Sequence, residues 1–563
     1  MENRALIALA LSFAIFVFFL YFGQKIHKPV PTGAPAPQAE VKPASPPPAA
    51  PPPPQAARPA PSPPRPTHPS RDITVETSLY KAVFSEQGGA LKSFELKKYR
   101  ESMPFTVLKQ FNLGPVHFEV ERYQDPEKVG AQPKQLVRVK PGQGLPLAIS
   151  WSGEKLKVPG DIPYQASKPA LTLQPGQTAS LKFTGVSPEG LVFTKNFTFK
   201  SDSYAFDLAI KVENRGKQPQ EGQLDLDLVA NYAGEETSRF NFLGFHASVN
   251  NKIDQIQTGN LKKSKTFVGK VDWAGLDEGF FMTAMVPLAA PKSVLTVKEE
   301  QPGLMDLVLK TQEKLAPGQD TSLTYTLYFG PKDLSDLKAL NLGLDKAVDF
   351  GWFHFLAVPL LYILNFFDKY VHNYGWAIII LTIIIRVLFF YPNHKSYKSM
   401  KDMQKLQPKV AKLREKYKDD KETMNKELMA LYRTFKVNPL AGCLPMVIQL
   451  PFFLALYNVL GYAIELRHQP FIPTLPFTDI VWLADLSTKD PLLITPIVMG
   501  ATMFIQQKMT PTTGDPTQAK MMMFLPLIFT FMFLNFASGL VIYWLVNNVL
   551  SIVQQYYTNK YLT

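Results

Sequence analysis

The sequence runs to 563 residues with a formal net charge of +13, 46% hydrophobic and 19% charged residues, and a single cysteine, Cys443. That length allows two or three folded units, and the lone thiol excludes an intramolecular disulfide or a cysteine zinc site, so any exported domain must be held by its core alone. No G-x-x-x-x-G-K-S/T loop, H-E-x-x-H or G-x-S-x-G motif occurs, so no enzymatic activity, metal or cofactor is expected.

Ala5 to Phe22 is an apolar run of 18 residues, about 27 Å long as a helix against a bilayer core of about 30 Å. A cleavable signal peptide is the competing reading. The chain continues Gly23-Gln24-Lys25-Ile26-His27-Lys28 with no A-x-A-like site, so an uncleaved signal anchor over 1–28 is expected. The next segment, 29–71, is a linker: Pro29 to Ser70 holds 18 of the 49 prolines. Such a stretch cannot bury a core and samples extended polyproline II, with a contour of ~130 Å at ~3.1 Å per residue. A plain spacer and a ligand for an SH3-type or cell-wall partner are its two readings.

From 72 to 332 the texture changes to short alternating runs. Ile73 to Thr77, Tyr80 to Phe84, Leu91 to Leu96, Leu191 to Phe193, Asn196 to Phe199, Tyr204 to Ile210 and Leu323 to Tyr328 read as strands between Gly and Pro breaks. A large antiparallel β-sandwich follows. The adjacent carboxylates Asp277 and Glu278 come after Asp272 to Leu276, which reads as a loop, and a solvated turn is expected there in preference to an acid/base pair.

The last third is apolar again. Spans are expected at Trp376 to Tyr391, Leu440 to Ile464, Leu492 to Gln506, Met521 to Phe536 and Leu540 to Val553, the last two as a tight helical hairpin about Ala537-Ser538-Gly539. With the signal anchor this makes six. The segment 351–367 is ambiguous by hydropathy, and loop charge decides it. Residues 393–438 carry 13 basic and 6 acidic residues, net +7, whereas 465–490 carry 2 and 4, net −2. The first loop is therefore cytoplasmic and the second outside; a seventh span would reverse both, so 350–370 is expected as an amphipathic helix in the outer interface. In 393–438, Met400, Met403, Leu406, Val410, Leu413 and Tyr417, then Met424, Leu428, Leu431 and Phe435, recur at spacings of three and four. They predict a helical hairpin with a narrow apolar seam. A solvated hairpin and a docking arm for ribosome, RNA or anionic headgroups both fit its charge.

One residue in the second span is out of character. Arg386 lies in Ile378-Ile379-Ile380-Leu381-Thr382-Ile383-Ile384-Ile385-Arg386-Val387-Leu388, where an arginine costs about 2.5–3.5 kcal/mol at a helix centre and less toward an end. It has two readings: snorkelling to cytoplasmic headgroups, or facing a wet cavity. Thr382 lies one turn away on the same face, and Gln449, Asn458, Gln506, Asn535, Asn547, Asn548 and Gln554 lie in or beside other spans, with no acidic residue at mid-membrane. A charge among neutral hydrogen-bonding groups points to the cavity. A small-anion transporter or channel fits that description too, although no inverted repeat is evident.

The stretch Asn438-Pro439-Leu440-Ala441-Gly442-Cys443-Leu444-Pro445-Met446-Val447-Ile448-Gln449-Leu450-Pro451-Phe452-Phe453-Leu454-Ala455-Leu456-Tyr457 resembles the hallmark of the YidC/Oxa/Alb family of membrane protein insertases. Gly375 to Ile380 leading to Arg386, Gln506 to Pro511, and Phe536 to Trp544 agree with it, most strongly from about Asp349 to Gln555, and the anchor and β-domain resemble the Gram-negative type. The resemblance implies a multi-domain membrane protein: a helical core over 374–563, five of its six spans in a family-type bundle, and a periplasmic β-supersandwich. It implies a groove open to cytoplasm and lipid, lined by Arg386, Thr382, Gln449, Asn458, Tyr543, Trp544 and Asn547, that receives nascent membrane proteins alone or beside the Sec translocon. Where the family often has two tyrosines this chain has Tyr543-Trp544, which loses one hydroxyl. Weak ribosome contact falls to Lys405, Lys409, Lys412, Arg414 and Lys508, since the sequence ends at Thr563 without a long basic tail. Lipids are expected partners and DNA is not; the location implied is the bacterial inner membrane with both termini cytoplasmic. An assembly factor whose β-domain does the essential binding is the third reading.

Overall fold

The structure, a computed structural model, describes residues 70–561 apart from 104, 114–115, 125–131, 141, 236–241, 262–263, 289–292, 438–443 and 511–515. The expected signal anchor, all but the last two residues of the linker, and Cys443 lie outside the described residues. Ser70–Pro408 and Leu431–Thr563 form one compact unit, and Lys409–Ala430 falls in another.

The strands form where the sequence alternates. In Leu191–Lys200, Phe193, Lys195, Phe197 and Phe199 are buried on one face. This strand belongs to a nine-stranded sheet whose edges are Lys252–Gln257 and Tyr164–Ala166 and whose centre is Phe281–Pro287, Asp320–Pro331 and Ala205–Asn214. A five-stranded sheet around Tyr80–Ser85 packs on it, with the Phe84 ring 4.8 Å from Phe197 and Phe94 5.3 Å from Phe329. A six-stranded sheet centres on Leu304–Leu315 and Gln220–Asn231. Pairing in these sheets is antiparallel except where Asp72–Glu76 runs parallel to Ala170–Thr172. Each fully buried aromatic contributes about 1.5–3 kcal/mol, so the aromatic layer between sheets does much to hold this disulfide-free sandwich. Lys195 is the polar exception. Its ammonium is fully buried and donates to the carbonyls of Gly88 (2.8 Å), Gly89 (3.1 Å) and Leu147 (2.7 Å), fastening two other segments to the nine-stranded sheet.

The loop expected before Asp277 is a strand. Val271–Glu278 pairs with both Leu243–Val249 and Phe281–Pro287, and all but Asp272 and Glu278 of its residues are buried by whole-residue exposure. Gly275, inside that expected loop, sits where a Cβ would collide with the carbonyl of Thr283 on the neighbouring strand.

After α1 (Leu334–Ala339), capped by Asp333, the chain becomes helical. α2 (His354–Val371) packs against α3 (Tyr374–Leu388) and α6 (Leu444–Tyr462). α3 starts at Asn373, whose carboxamide oxygen accepts from Trp376 N. It ends at Phe389, where the chain bends by 62° into α4 (Phe390–Lys416), followed by α5 (Lys421–Thr434). α7 (Ile494–Met509) packs with α8 (Pro516–Phe533) and α9 (Ser538–Tyr561), and α9 also contacts α3 and α6. The expected spans at 376–391, 440–464, 492–506, 521–536 and 540–553 thus correspond to α3, α6, α7, α8 and α9 with shifted ends. By length and composition, Gly351–Val371 is the described helix able to cross a membrane, with α3 and α4 passing together as one bent pair; the apolar parts of α6 and α8 are shorter.

Candidate functional site

α3 has two faces. Ala377, Ile378, Leu381, Thr382, Ile385 and Arg386 are buried, whereas Ile383, Ile384, Val387 and Leu388 are exposed. The helical period that turns the apolar residues outward therefore turns Arg386 inward. Only 8% of Arg386 is exposed, and one guanidinium nitrogen donates to Tyr397 Oη at 3.0 Å. Its Nε has no hydrogen-bond partner, and no carboxylate pairs with it among the described residues. Thr382 lies one turn away, its hydroxyl donating to the Ile378 carbonyl of its own helix at 2.6 Å.

Tyr543, from α9, is buried within electrostatic range of Arg386, and Gln449 Nε2 of α6 donates to its hydroxyl at 3.4 Å. Asn547 follows one turn later and is also buried. Trp544 sits in an aromatic cluster, 4.8 Å from Phe453 and 5.3 Å from Phe533, with its buried Nε1 unpartnered among the described residues. Arg386, Thr382, Gln449, Tyr543 and Asn547 thus lie on the inward faces of α3, α6 and α9. Asn458 does not join them. Its Nδ2 donates to the Phe350 carbonyl at 2.7 Å, just ahead of α2.

Asn548 and Gln554, polar residues already singled out beside the spans, continue the polar track together with Gln555 and Thr558, which were not. Along α9, Asn548 donates to Thr502 Oγ1 (3.4 Å), Gln554 to the Phe390 carbonyl (2.9 Å), and Gln555 to the Met509 carbonyl (2.9 Å), while Thr558 meets His394 (3.3 Å). Tyr397 belongs to the stretch read as purely cytoplasmic; the 62° bend at Phe389 lies between it and Arg386, so helical spacing in the sequence does not signal it. Of the basic residues, Lys405 pairs with Asp402 at 3.0 Å and Lys508 lies over the Phe504 ring at 4.8 Å. Lys409 and Lys412 are exposed and Arg414 is half-buried.

In the β-domain, Asp277 and Glu278 point to opposite faces of their strand. Asp277 accepts from Lys332 Nζ (2.9 and 3.0 Å) and Gly279 N (3.0 Å) and lies 3.2 Å from His246 Nδ1. Glu278 lies 3.2 Å from Lys134 and 3.7 Å from Arg138; burial pushes its carboxyl up and both cations oppose the shift. The two carboxylates do not face one another, so they form no acid/base pair.

The chain matches two family models, the 60Kd inner membrane protein over residues 366–563 and the YidC periplasmic domain over 116–363. It is 42% identical over 578 residues to the membrane protein insertase YidC of Syntrophus aciditrophicus, covering 100% of each chain. With the same protein of Nitratidesulfovibrio vulgaris it shares 42% over 559 residues, 99% of each. The chain belongs to the YidC family of membrane protein insertases. A solved YidC structure, described as an active insertase with the first transmembrane domain resolved, is 18% identical with a TM-score of 0.35, covering 87% of this chain and 93% of that one. As a YidC-family insertase this chain is an inner-membrane protein with a periplasmic domain. Membership assigns it protein insertion in place of small-anion transport.

Proposed function

We propose that this insertase receives the polar tail of a nascent membrane protein in a hydrophilic groove between α3, α6 and α9, with Arg386 as the docking charge. The observation that carries this reading is the state of Arg386: buried, turned inward, and hydrogen-bonded among the described residues to one neutral phenol. A guanidinium has five N–H donors and gains most from a carboxylate, which accepts two of them side by side. Gln449, Tyr543 and Asn547 support a wet site, since neutral polar groups in a membrane face a cavity or one another. The client's apolar segment leaves along α6 and α8 into lipid.

The outward faces support spans despite the helices' modest lengths. α8 exposes Met523, Phe524, Leu527, Ile528 and Phe531, a surface too apolar for water. Sidedness is consistent across the bundle. Asn373, at the start of α3, donates to Phe471 O, and Ser538 N, at the start of α9, donates to Thr488 O, so both starts lie by the acidic loop assigned to the outside. Six spans, counting 1–28, with α2 in the outer interface, satisfy the charge of both loops. α2 supports that role by burying Ala357, Leu360, Leu361 and Leu364 while exposing Trp352 just before it and Phe355 and Phe366 within it. Both termini are then cytoplasmic, and the β-domain is a periplasmic supersandwich. Work beside the Sec translocon, weak ribosome contact through Lys405, Lys409, Lys412, Arg414 and Lys508, and contact with lipid headgroups complete the reading.

Substitution at Arg386 tests it. R386A is expected to lower insertion of a client with an acidic translocated tail about tenfold or more, the worth of one charge-assisted hydrogen bond, while R386K, which keeps the charge but not the paired donors, falls between R386A and wild type. Equal insertion by R386A and wild type in proteoliposomes would contradict the docking role.

A further inference from the structure

The elbow after α3 puts one face of α4 against the arginine. Phe389 N still bonds to the Ile385 carbonyl at 3.1 Å, so the last turn of α3 is intact up to the 62° bend. Beyond it, Phe390, His394 and Tyr397 stand at spacings of four and three, on one side of α4. All three are held. The Phe390 carbonyl accepts from Gln554 (2.9 Å), His394 meets Thr558 (3.3 Å), and Tyr397 accepts from Arg386 (3.0 Å). Two of these holds come from α9. The third involves a charge, and Tyr397 is itself buried.

The holds differ in what can compete with them. A phenol offers a guanidinium one neutral acceptor, whereas a carboxylate offers two anionic ones in matching geometry. An arriving carboxylate therefore outcompetes Tyr397 for Arg386. With that bond gone, the start of α4 keeps only the Gln554 and Thr558 contacts of the three, both at its first two turns next to the elbow. We propose that the first turns of α4 form an inner leaf over Arg386, and that Tyr397 is the resident partner which a client carboxylate displaces on entry. This rests on the reading of Arg386 as a docking charge and adds a competitor to it. Tyr397 acts here as a positioning residue, setting how readily the arginine is reached.

The test uses the full-length protein in proteoliposomes with a photocrosslinker at position 382, and two single-span clients differing only in one Asp or Asn of the translocated tail. Capture is measured against client concentration for wild type and Y397F, which removes the hydroxyl and keeps the ring. The expected result is that Y397F lowers the half-saturating concentration of the acidic client about tenfold, from loss of the competing acceptor, and leaves the Asn client unchanged. An equal shift for both clients would mean that the substitution merely loosens α4, and no shift for either that Tyr397 does not compete; each overturns the proposal. The Asn client also serves as the folding control for Y397F. Wild-type capture of neither client would instead remove the groove reading, and the leaf with it.

Discussion

Arg386 has a direction that its helix's sequence alone leaves open. Snorkelling requires the stem to run toward lipid headgroups, but the stem points into the bundle and its head bonds Tyr397. The residue itself was legible because a charge in an isoleucine run is costly. Tyr397 was not, because the elbow at Phe389 folds a helix that reads as cytoplasmic back over the site, and sequence periodicity does not carry across a bend. Asp277 and Glu278 were misread for a related reason: Gly275 signals a turn locally, and only the neighbouring strand shows why a glycine is required. A titratable residue in the loop 465–490 yields a prediction at this scale. His468, beside Arg467, is lowered to about 3 by burial and then by the Arg467 charge, although Asp485 lies 3.9 Å from its Nε2. Between pH 6.5 and 3 the unfolded chain takes up a proton that the folded chain does not, so this contribution is complete above pH 6.5 and is lost as pH falls. Thermal unfolding at pH 5 and pH 7.5 should show wild type losing on the order of 1–2 kcal/mol more than H468N; equal losses would mean the imidazole is not shielded.

Elements were legible where one period dominates. The β-strands follow alternation, and the helices after residue 374 that carry apolar runs follow those runs with ends moved by a few residues. Of the apolar positions recurring in 393–438, Met400, Met403, Leu406, Val410, Met424 and Leu428 are buried, Leu413, Tyr417 and Leu431 are half-buried, and Phe435 is exposed. Helix starts were harder to read, because capping depends on side chains that reach across turns. Asp490, fully buried ahead of α7, accepts from Thr495 N and Oγ1 (both 2.7 Å), Leu492 N (2.9 Å) and Trp482 Nε1 (3.3 Å). D490A leaves these donors without their acceptor, and a loss of about 2–3 kcal/mol is expected from a thermal or denaturant melt. A change below about 0.5 kcal/mol, within the range of an ordinary surface substitution, would contradict this role of Asp490.

At the scale of the whole molecule, the β-domain and helical core are joined by specific contacts. Arg467 of the loop 465–490 donates to the Glu101 carbonyl at 3.1 Å and lies over the Phe281 ring at 5.2 Å, while Arg122 bridges Ile480. These contacts join surfaces without bringing a β-domain residue to Arg386. Deleting most of residues 72–329 is accordingly expected to leave insertion of small clients largely intact in a proteoliposome assay. Loss of insertion in a deletion variant that still folds would move the essential binding to the β-domain. A β-rich region followed by a helical one was legible from composition; the joint between them was not, because it depends on single residues distant in sequence. The central claim is that clients pass along the inward faces of α3 and α9. Site-directed photocrosslinkers at Thr382 and Trp544 test it most directly: both should capture nascent membrane proteins during insertion, and failure of both to capture any client while insertion proceeds would contradict the groove.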